Sequence, residues 1–156
     1  MPETIVITDT SCLIALSKIE ALEVLHILYK RVIVSKEIVN EFAEELPDWF
    51  EILEASNKNY QRILENSLDK GEASAIALAF ELGDVVLVLD DLKARKEAQK
   101  LGFKITGTLG VLFSAKERNV ISSLRLYLDK LKQTNFRIAE NIVFELLKRS
   151  NELLAE

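Results

Sequence analysis

The chain is poor in the residues that do the most conspicuous chemistry. Its 156 residues include one cysteine, Cys12, and one histidine, His26. A single cysteine excludes a disulfide scaffold and a cysteine-cluster zinc site. A single histidine excludes a His-rich metal site and weakens any mechanism that needs a catalytic imidazole. Two prolines and five glycines exclude a Pro/Gly low-complexity chain. Long apolar runs are also missing. Those present, such as residues 85–89, are far too short to span a bilayer, and the N-terminus carries no basic-then-apolar signal segment. The expected compartment is therefore the cytosol (cytoplasmic), with no membrane partner. Positive charge is not in excess either. Twenty basic residues stand against 25 acidic ones, a net charge of −5, which argues against holding nucleic acid by bulk positive charge. What remains is ordinary globular composition, 49% hydrophobic and 29% charged, at a length that suits one domain over residues 1–156.

Strand-like and helix-like segments alternate along the chain. Residues 4–8 are β-branched throughout and run into Asp9, as expected of a short buried parallel strand. Helical spacing of apolar residues follows over 11–18 and 21–30. Residues 32–34 form a second β-branched run, and Ser35 stands where an N-cap would, ahead of a helix over 37–45. After a break at 46–50, residues 51–55 are ambiguous and allow a minor strand. Helices are expected over 57–67 and 69–82. The second is apolar nearly all round, which marks a buried helix, and Gly83 ends it. Residues 85–89 read as the strongest strand and lead into Asp90-Asp91. A helix over 92–101, a short strand over 103–106 and the connector Gly107-Thr108-Leu109-Gly110 follow. Helices over 111–118, 122–132 and 138–147 complete the chain. This order implies an α/β fold with a parallel sheet covered by helices on both faces. In such sheets the functional crevice lies at the carboxyl ends of the strands.

Acidic residues at strand ends are therefore the ones to weigh. Asp9 ends the first strand, Asp90 ends the strongest one, and Glu72 opens the buried helix. Glu41 lies midway along the helix after the second strand, where pattern alone leaves it a solvated surface residue. Converging carboxylates without basic partners raise one another's pKa, and a hard divalent cation is the usual reason for tolerating them. Each position also has a plainer reading. Asp9-Thr10-Ser11 could also be simply a strand-to-helix turn with Asp or Ser as cap. Asp69-Lys70-Gly71-Glu72 fits a capping box. One of Asp90 and Asp91 caps the following helix, and the second is the better candidate.

Taken together, these residues resemble the PIN domain family, the metal-dependent nuclease fold of VapC-type toxins, and within it the small predicted nucleic-acid-binding proteins of bacteria and archaea. The matching stretches are Thr8-Asp9-Thr10-Ser11-Cys12-Leu13-Ile14-Ala15-Leu16, Val34-Ser35-Lys36-Glu37-Ile38-Val39-Asn40-Glu41 and Gly71-Glu72-Ala73-Ser74-Ala75-Ile76-Ala77-Leu78-Ala79. They continue through Val88-Leu89-Asp90-Asp91, with Arg95 and Ala98, to Gly107-Thr108-Leu109-Gly110-Val111-Leu112. The resemblance implies a three-layer α/β/α sandwich with a central parallel sheet and a helical C-terminal part. It implies a ribonuclease that hydrolyses single-stranded RNA with magnesium or manganese in an acidic pocket, as the toxin of a toxin–antitoxin pair. Asp9, Glu41, Glu72 and Asp90 match the family's catalytic and metal-ligating positions. Thr10 or Ser11 matches a small hydroxyl that orients Asp9 or the substrate phosphate. Asp91 and Thr108 match supporting positions. Cys12 stands where many relatives have proline. The implied partners are an RNA substrate, a cognate antitoxin and a second copy in a homodimer. The alternative is a PIN-like module that binds RNA or protein without turnover. A phosphatase of the haloacid-dehalogenase type would need an aspartate two residues after Asp9, where Ser11 stands.

Lys93, Arg95, Lys96 and Lys100 form the candidate RNA-binding strip beside the pocket, against the plainer reading of a solvated helix surface. No aromatic stacking platform is evident in the sequence, and Trp49 reads as a packing anchor. His26 reads as a surface or packing residue and Cys12 as a small buried hydrophobe. The apolar faces of the last helices, including Leu124, Leu128, Leu131, Ile142 and Leu146, fit either burial within the chain or pairing with a second copy.

Overall fold

The β-branched runs become the centre of the molecule. A computed structural model describes residues 4–152, so the outermost residues of the expected 1–156 domain lie outside it. Strand β1 (Ile5–Thr8) lies between β2 (Arg31–Ser35) and β4 (Val86–Val88), with β3 (Phe50–Leu53) and β5 (Lys104–Thr106) at the edges. All four pairings are parallel, with Ile7 opposite both Ile33 and Leu87. Successive strand residues face opposite sides of a sheet. Val6 and Ile7 are both 0% exposed, so both faces of β1 are covered.

The cover is helical. Helices α1 (Thr10–Lys18) and α2 (Glu23–Leu28) connect β1 to β2, and α3 (Lys36–Phe42) connects β2 to β3. Helices α4 (Lys58–Leu64) and α5 (Lys70–Leu82) lead back to β4, and α6 (Leu92–Lys100) leads to β5. Helix α5 packs on β1, β2 and β4, while α7 (Thr108–Glu117) packs on α1 and α2. Two further helices, α8 (Leu124–Lys132) and α9 (Glu140–Arg149), stack outward from α7. The result is an α/β/α sandwich around a five-stranded parallel sheet. No helix among the described residues is long and apolar enough to cross a membrane.

Several boundaries differ from the sequence pattern for identifiable reasons. The ambiguous 51–55 segment is a true strand, β3, in register with β2 from Val32↔Phe50 to Ser35↔Leu53. The strand read as strongest is only three residues long, although Leu89 N–H still donates to Thr106 O at 2.9 Å. Helix α3 stops at Phe42 instead of 45, because Ala43 turns left-handed (φ 58°) and returns its N–H to Val39 O. Helix α2 is shorter than 21–30, since Tyr29 is already extended toward β2. Helix α7 starts three residues earlier than expected. Gly107 is its N-cap, and Val111 N–H closes the first turn on Gly107 O at 2.9 Å.

The strand order places the functional edge. The chain steps outward from β1 to β2 and β3, then returns to lay β4 on the other side of β1. Connections from β1 and β4 leave in opposite directions, which opens a crevice beyond their carboxyl ends. A buried hydroxyl pair sets α3 against α5 beside that crevice. Ser74 Oγ donates to Gly71 O at 2.7 Å, and so accepts from Ser35 Oγ at 2.6 Å. Ser35 Oγ in turn accepts the Ile38 N–H at 3.0 Å as the cap of α3.

Ser35→Ala is expected to lower stability by about 2 kcal/mol, combining the lost cap, which leaves the buried Ile38 N–H unpaired, with the lost hydrogen bond to Ser74. Equilibrium denaturation in urea measures this, and a change of a few tenths would contradict the role given to the pair.

Candidate active site

Asp9 follows β1 directly and caps α1. Its Oδ1 accepts the Cys12 N–H at 2.8 Å, and its Oδ2 accepts the Asp90 N–H at 3.0 Å. The carboxylate is thus fixed from two sides by backbone, one from its own helix and one from the loop after β4. It is 5% exposed. Asp90 is held differently. Its Oδ1 accepts Thr108 N–H at 2.8 Å, and its Oδ2 accepts the hydroxyls of Thr108 at 2.6 Å and Ser11 at 3.0 Å. Gly107 has no side-chain oxygen to cap α7, so Asp90 serves the first N–H of that helix from the loop after β4. The next residue, Asp91, caps α6 through the Ala94 N–H at 3.0 Å.

Glu72 and Glu41 reach the same rim from helices. Glu72 closes the capping box of α5: Asp69 Oδ1 accepts its N–H at 2.8 Å, and its Oε1 accepts the Asp69 N–H at 3.3 Å. Glu41 extends from α3 and accepts the Thr10 hydroxyl at 2.6 Å. Its carboxylate lies over Gly71, where an added Cβ would collide with Oε1. The glycine at the start of α5 is therefore what lets Glu41 approach. Thr10 and Ser11 orient Glu41 and Asp90 respectively, and neither hydroxyl serves Asp9, which the backbone holds.

These residues line one cleft of about 860 Å³, which collects Asp9, Thr10, Ser11, Glu41, Glu72, Asp90 and Asp91. Thr108 is buried behind it at 0% exposure. The basic strip divides. Arg95 lines the cleft and donates to Leu89 O at 2.9 Å. Lys93, Lys96 and Lys100 are exposed on α6 outside the cleft lining, and Lys100 approaches Glu97 at 4.0 Å. The sequence pattern missed the opposite wall, formed by Asn135, Phe136 and Arg137 with Ile142 and Leu146 of α9. Its signal was the polar-aromatic-basic triplet Asn135-Phe136-Arg137 between two amphipathic helices. An aromatic side chain does border the cleft, and it is Phe136, not Trp49. Trp49 stacks on His26 at 4.7 Å and on Phe50 at 4.3 Å.

The electrostatics follow from this crowding. Among the described residues, no lysine or arginine forms an ion pair with Asp9, Glu41, Glu72, Asp90 or Asp91. Burial, followed by the charge of Asp90, pushes Asp9 up to about 7 against its two N–H partners. Burial also pushes Glu72 up to about 7, with Asp69, Asp91 and Glu41 adding to it. Burial drives the Cys12 thiol well above its usual range, which leaves it an inert core group. The available donors are carboxylate and hydroxyl oxygens, the hard ligands that magnesium and manganese prefer. Among the described residues no three acidic, histidine or cysteine side chains close a cage made of protein alone. The set fits a cation that keeps several waters and takes one or two direct carboxylates.

A pH dependence follows. Asp9 and Glu72 have ordinary values of 3.8 and 4.5 but sit near 7 in the fold. Between those limits the native state keeps protons that the unfolded chain has released. Their contribution is complete below about pH 4 and is lost as pH rises through about 7. Glu51, Glu81 and Glu152 are held below the ordinary range, so their titration falls lower. The melting temperature of metal-free protein is expected to fall between pH 5 and 8. Magnesium or manganese added at pH 8 is expected to restore it. A flat profile with no response to metal would contradict this electrostatic description.

A family model described as a PIN domain matches residues 5–152. No match was found among curated proteins. PIN domains are in general nucleases, typically dependent on a divalent metal, which sets nucleic acid as the substrate class. The matched span takes in every carboxylate of the cleft, and the chain belongs to the PIN domain family.

Proposed function

We propose that the cleft hydrolyses phosphodiester bonds of single-stranded RNA with the help of magnesium or manganese. The observation that carries this reading is the convergence of Asp9, Glu41, Glu72 and Asp90 on one cleft with no cationic partner. Asp9 and Asp90 would hold the cation together with Glu72, and Glu41 would act partly through water. The chemistry that a bound ion supplies is Lewis acidity toward a phosphate oxygen and toward the attacking water.

The protein's own part is positioning. The Cys12 and Asp90 N–H groups hold the Asp9 carboxylate rigidly. Thr108 and Ser11 do the same for Asp90, and Thr10 turns Glu41 inward. Arg95 spends one N–H on Leu89 O and keeps others for a phosphate oxygen. Arg137 offers a second guanidinium from the opposite wall. The net charge of −5 favours this local contact over a long electrostatic track. The family resemblance supports RNA as the substrate. It also extends the proposal to a toxin whose antitoxin would occupy the cleft, and to a homodimer.

Asp9→Asn is expected to lower cleavage by at least about a hundredfold while the chain still folds. Asparagine keeps one acceptor but turns an NH₂ toward the Asp90 N–H, a cost of about 1 kcal/mol that loss of the buried charge offsets. The assay follows several RNAs across a magnesium titration, with melting temperature as the check on folding. Parental rates in the variant would refute the site. Binding without product at any metal concentration would identify a non-catalytic module.

A further inference from the structure

A second cavity opens beside the first. It measures about 240 Å³ and is lined by Ser11, Ile14, Ala15, Lys18, Thr134, Asn135 and Phe136. Ser11, Asn135 and Phe136 line both cavities, so the two are adjacent. One wall is a stripe of α1 at positions 11, 14, 15 and 18, the spacing that keeps residues on one helical face. Its ends differ. Ser11 donates to Asp90 Oδ2 at 3.0 Å at the acidic end. Lys18 stands seven residues on, about 10 Å along the axis. Between them Ile14 and Ala15 are apolar, and Ile14 is 40% exposed. Thr134, Asn135 and Phe136 supply the rest of the lining. The Asn135 amide is exposed and makes no hydrogen bond among the described residues.

An apolar slot with an aromatic wall, a free amide at its lip and a cation at its far end matches the parts of a nucleotide. We infer that this cavity is a subsite for one unpaired nucleobase of the RNA, adjacent to the phosphate held in the acidic cleft. The inference rests on the proposed nuclease reading of that cleft. The base lies between Phe136 and the Ile14–Ala15 face, where stacking and apolar contact hold any base. Asn135 reads its edge, because an amide offers both a donor and an acceptor. Lys18 meets the next phosphate along the strand, outside the influence of the carboxylates. The subsite gives the enzyme a base preference at one position flanking the cut, although the net charge of −5 supplies no bulk positive charge to hold the strand.

The test uses Ile14→Glu, which sets a charge in the slot at a partly exposed position, and Asn135→Ala. Both are first checked for an unchanged melting temperature. Cleavage sites are mapped on an RNA pool of random sequence, followed by KM and kcat on the preferred RNA. The parent is expected to prefer certain bases at one position beside the cut. Ile14→Glu is expected to raise KM about tenfold with kcat within about twofold. Asn135→Ala is expected to blur the base preference. Parental KM and preference in both variants would overturn the subsite while leaving the nuclease reading intact. If the parent cleaves no RNA, the nuclease reading fails, and fluorescent homopolymer hexanucleotides binding to the Asp9→Asn protein still test the cavity. Weaker binding by the double variant Asp9→Asn/Ile14→Glu would support the subsite. Equal binding, or none to either protein, would overturn it, and equal binding is also the result if a partner's apolar side chain were the true occupant.

Discussion

The site depends on one buried carboxylate with both oxygens committed to backbone. Asp9 accepts one N–H from α1 and one from the loop that follows β4, and so ties the ends of two neighbouring strands together. The bond to Asp90 N–H does more than satisfy a donor. It sets the direction in which Asp90 leaves the sheet, and from there Asp90 can reach the first turn of α7. Thr108 then returns its hydroxyl to the same carboxylate. Strand ends, helix starts and acidic side chains form a single hydrogen-bonded unit, none of whose members can shift alone.

This unit concentrates negative charge without neutralising it. Arginine or lysine partners would have stabilised the carboxylates, but they would also have cancelled the field that attracts a cation. The chain uses N–H groups and hydroxyls instead. Helices α1, α5, α6 and α7 all begin at the cleft, and an acidic residue stands at each start: Asp9, Glu72, Asp91 and Asp90. The positive ends of the helix dipoles hold these groups in place at modest energy and leave their charge available. The raised values of Asp9 and Glu72 are the residue of that compromise. They mark charge that the described residues do not balance among themselves, a feature that clusters at functional sites.

How far the site could be read from the sequence depended on how local its determinants are. Asp9 and Asp90 were legible because a β-branched run ending in aspartate is a local pattern, and the βαβ order alone puts such ends on one rim. Glu72 was legible as a cap. Asp91 was separable from Asp90 because a cap needs only its own helix. Glu41 was not legible from pattern, since its approach depends on a missing side chain thirty residues away, at Gly71. The start of α7 was hidden for a similar reason, because the side chain that accepts its first N–H is Asp90, in the loop after β4, and not that of the preceding residue. The wall at Asn135, Phe136 and Arg137 has no periodicity to reveal it. Only the stacking of α8 on α7 and α9 on α8 brings that loop over the cleft. Of the basic residues of α6, Arg95 enters the cleft lining, whereas Lys93, Lys96 and Lys100 are exposed outside it.

The bond between Asp9 and Asp90 spans 81 positions. Parallel pairing of β1 with β4 requires the intervening strands and helices to be laid down first, a slow and nonlocal step. During synthesis the first half of the chain can form β1, β2 and β3, yet it contains no Asp90 and no α7. The acidic centre thus cannot exist on a nascent chain before the switch point closes. The order of translation therefore delays completion of the acidic centre until Asp90 and the start of α7 have been made.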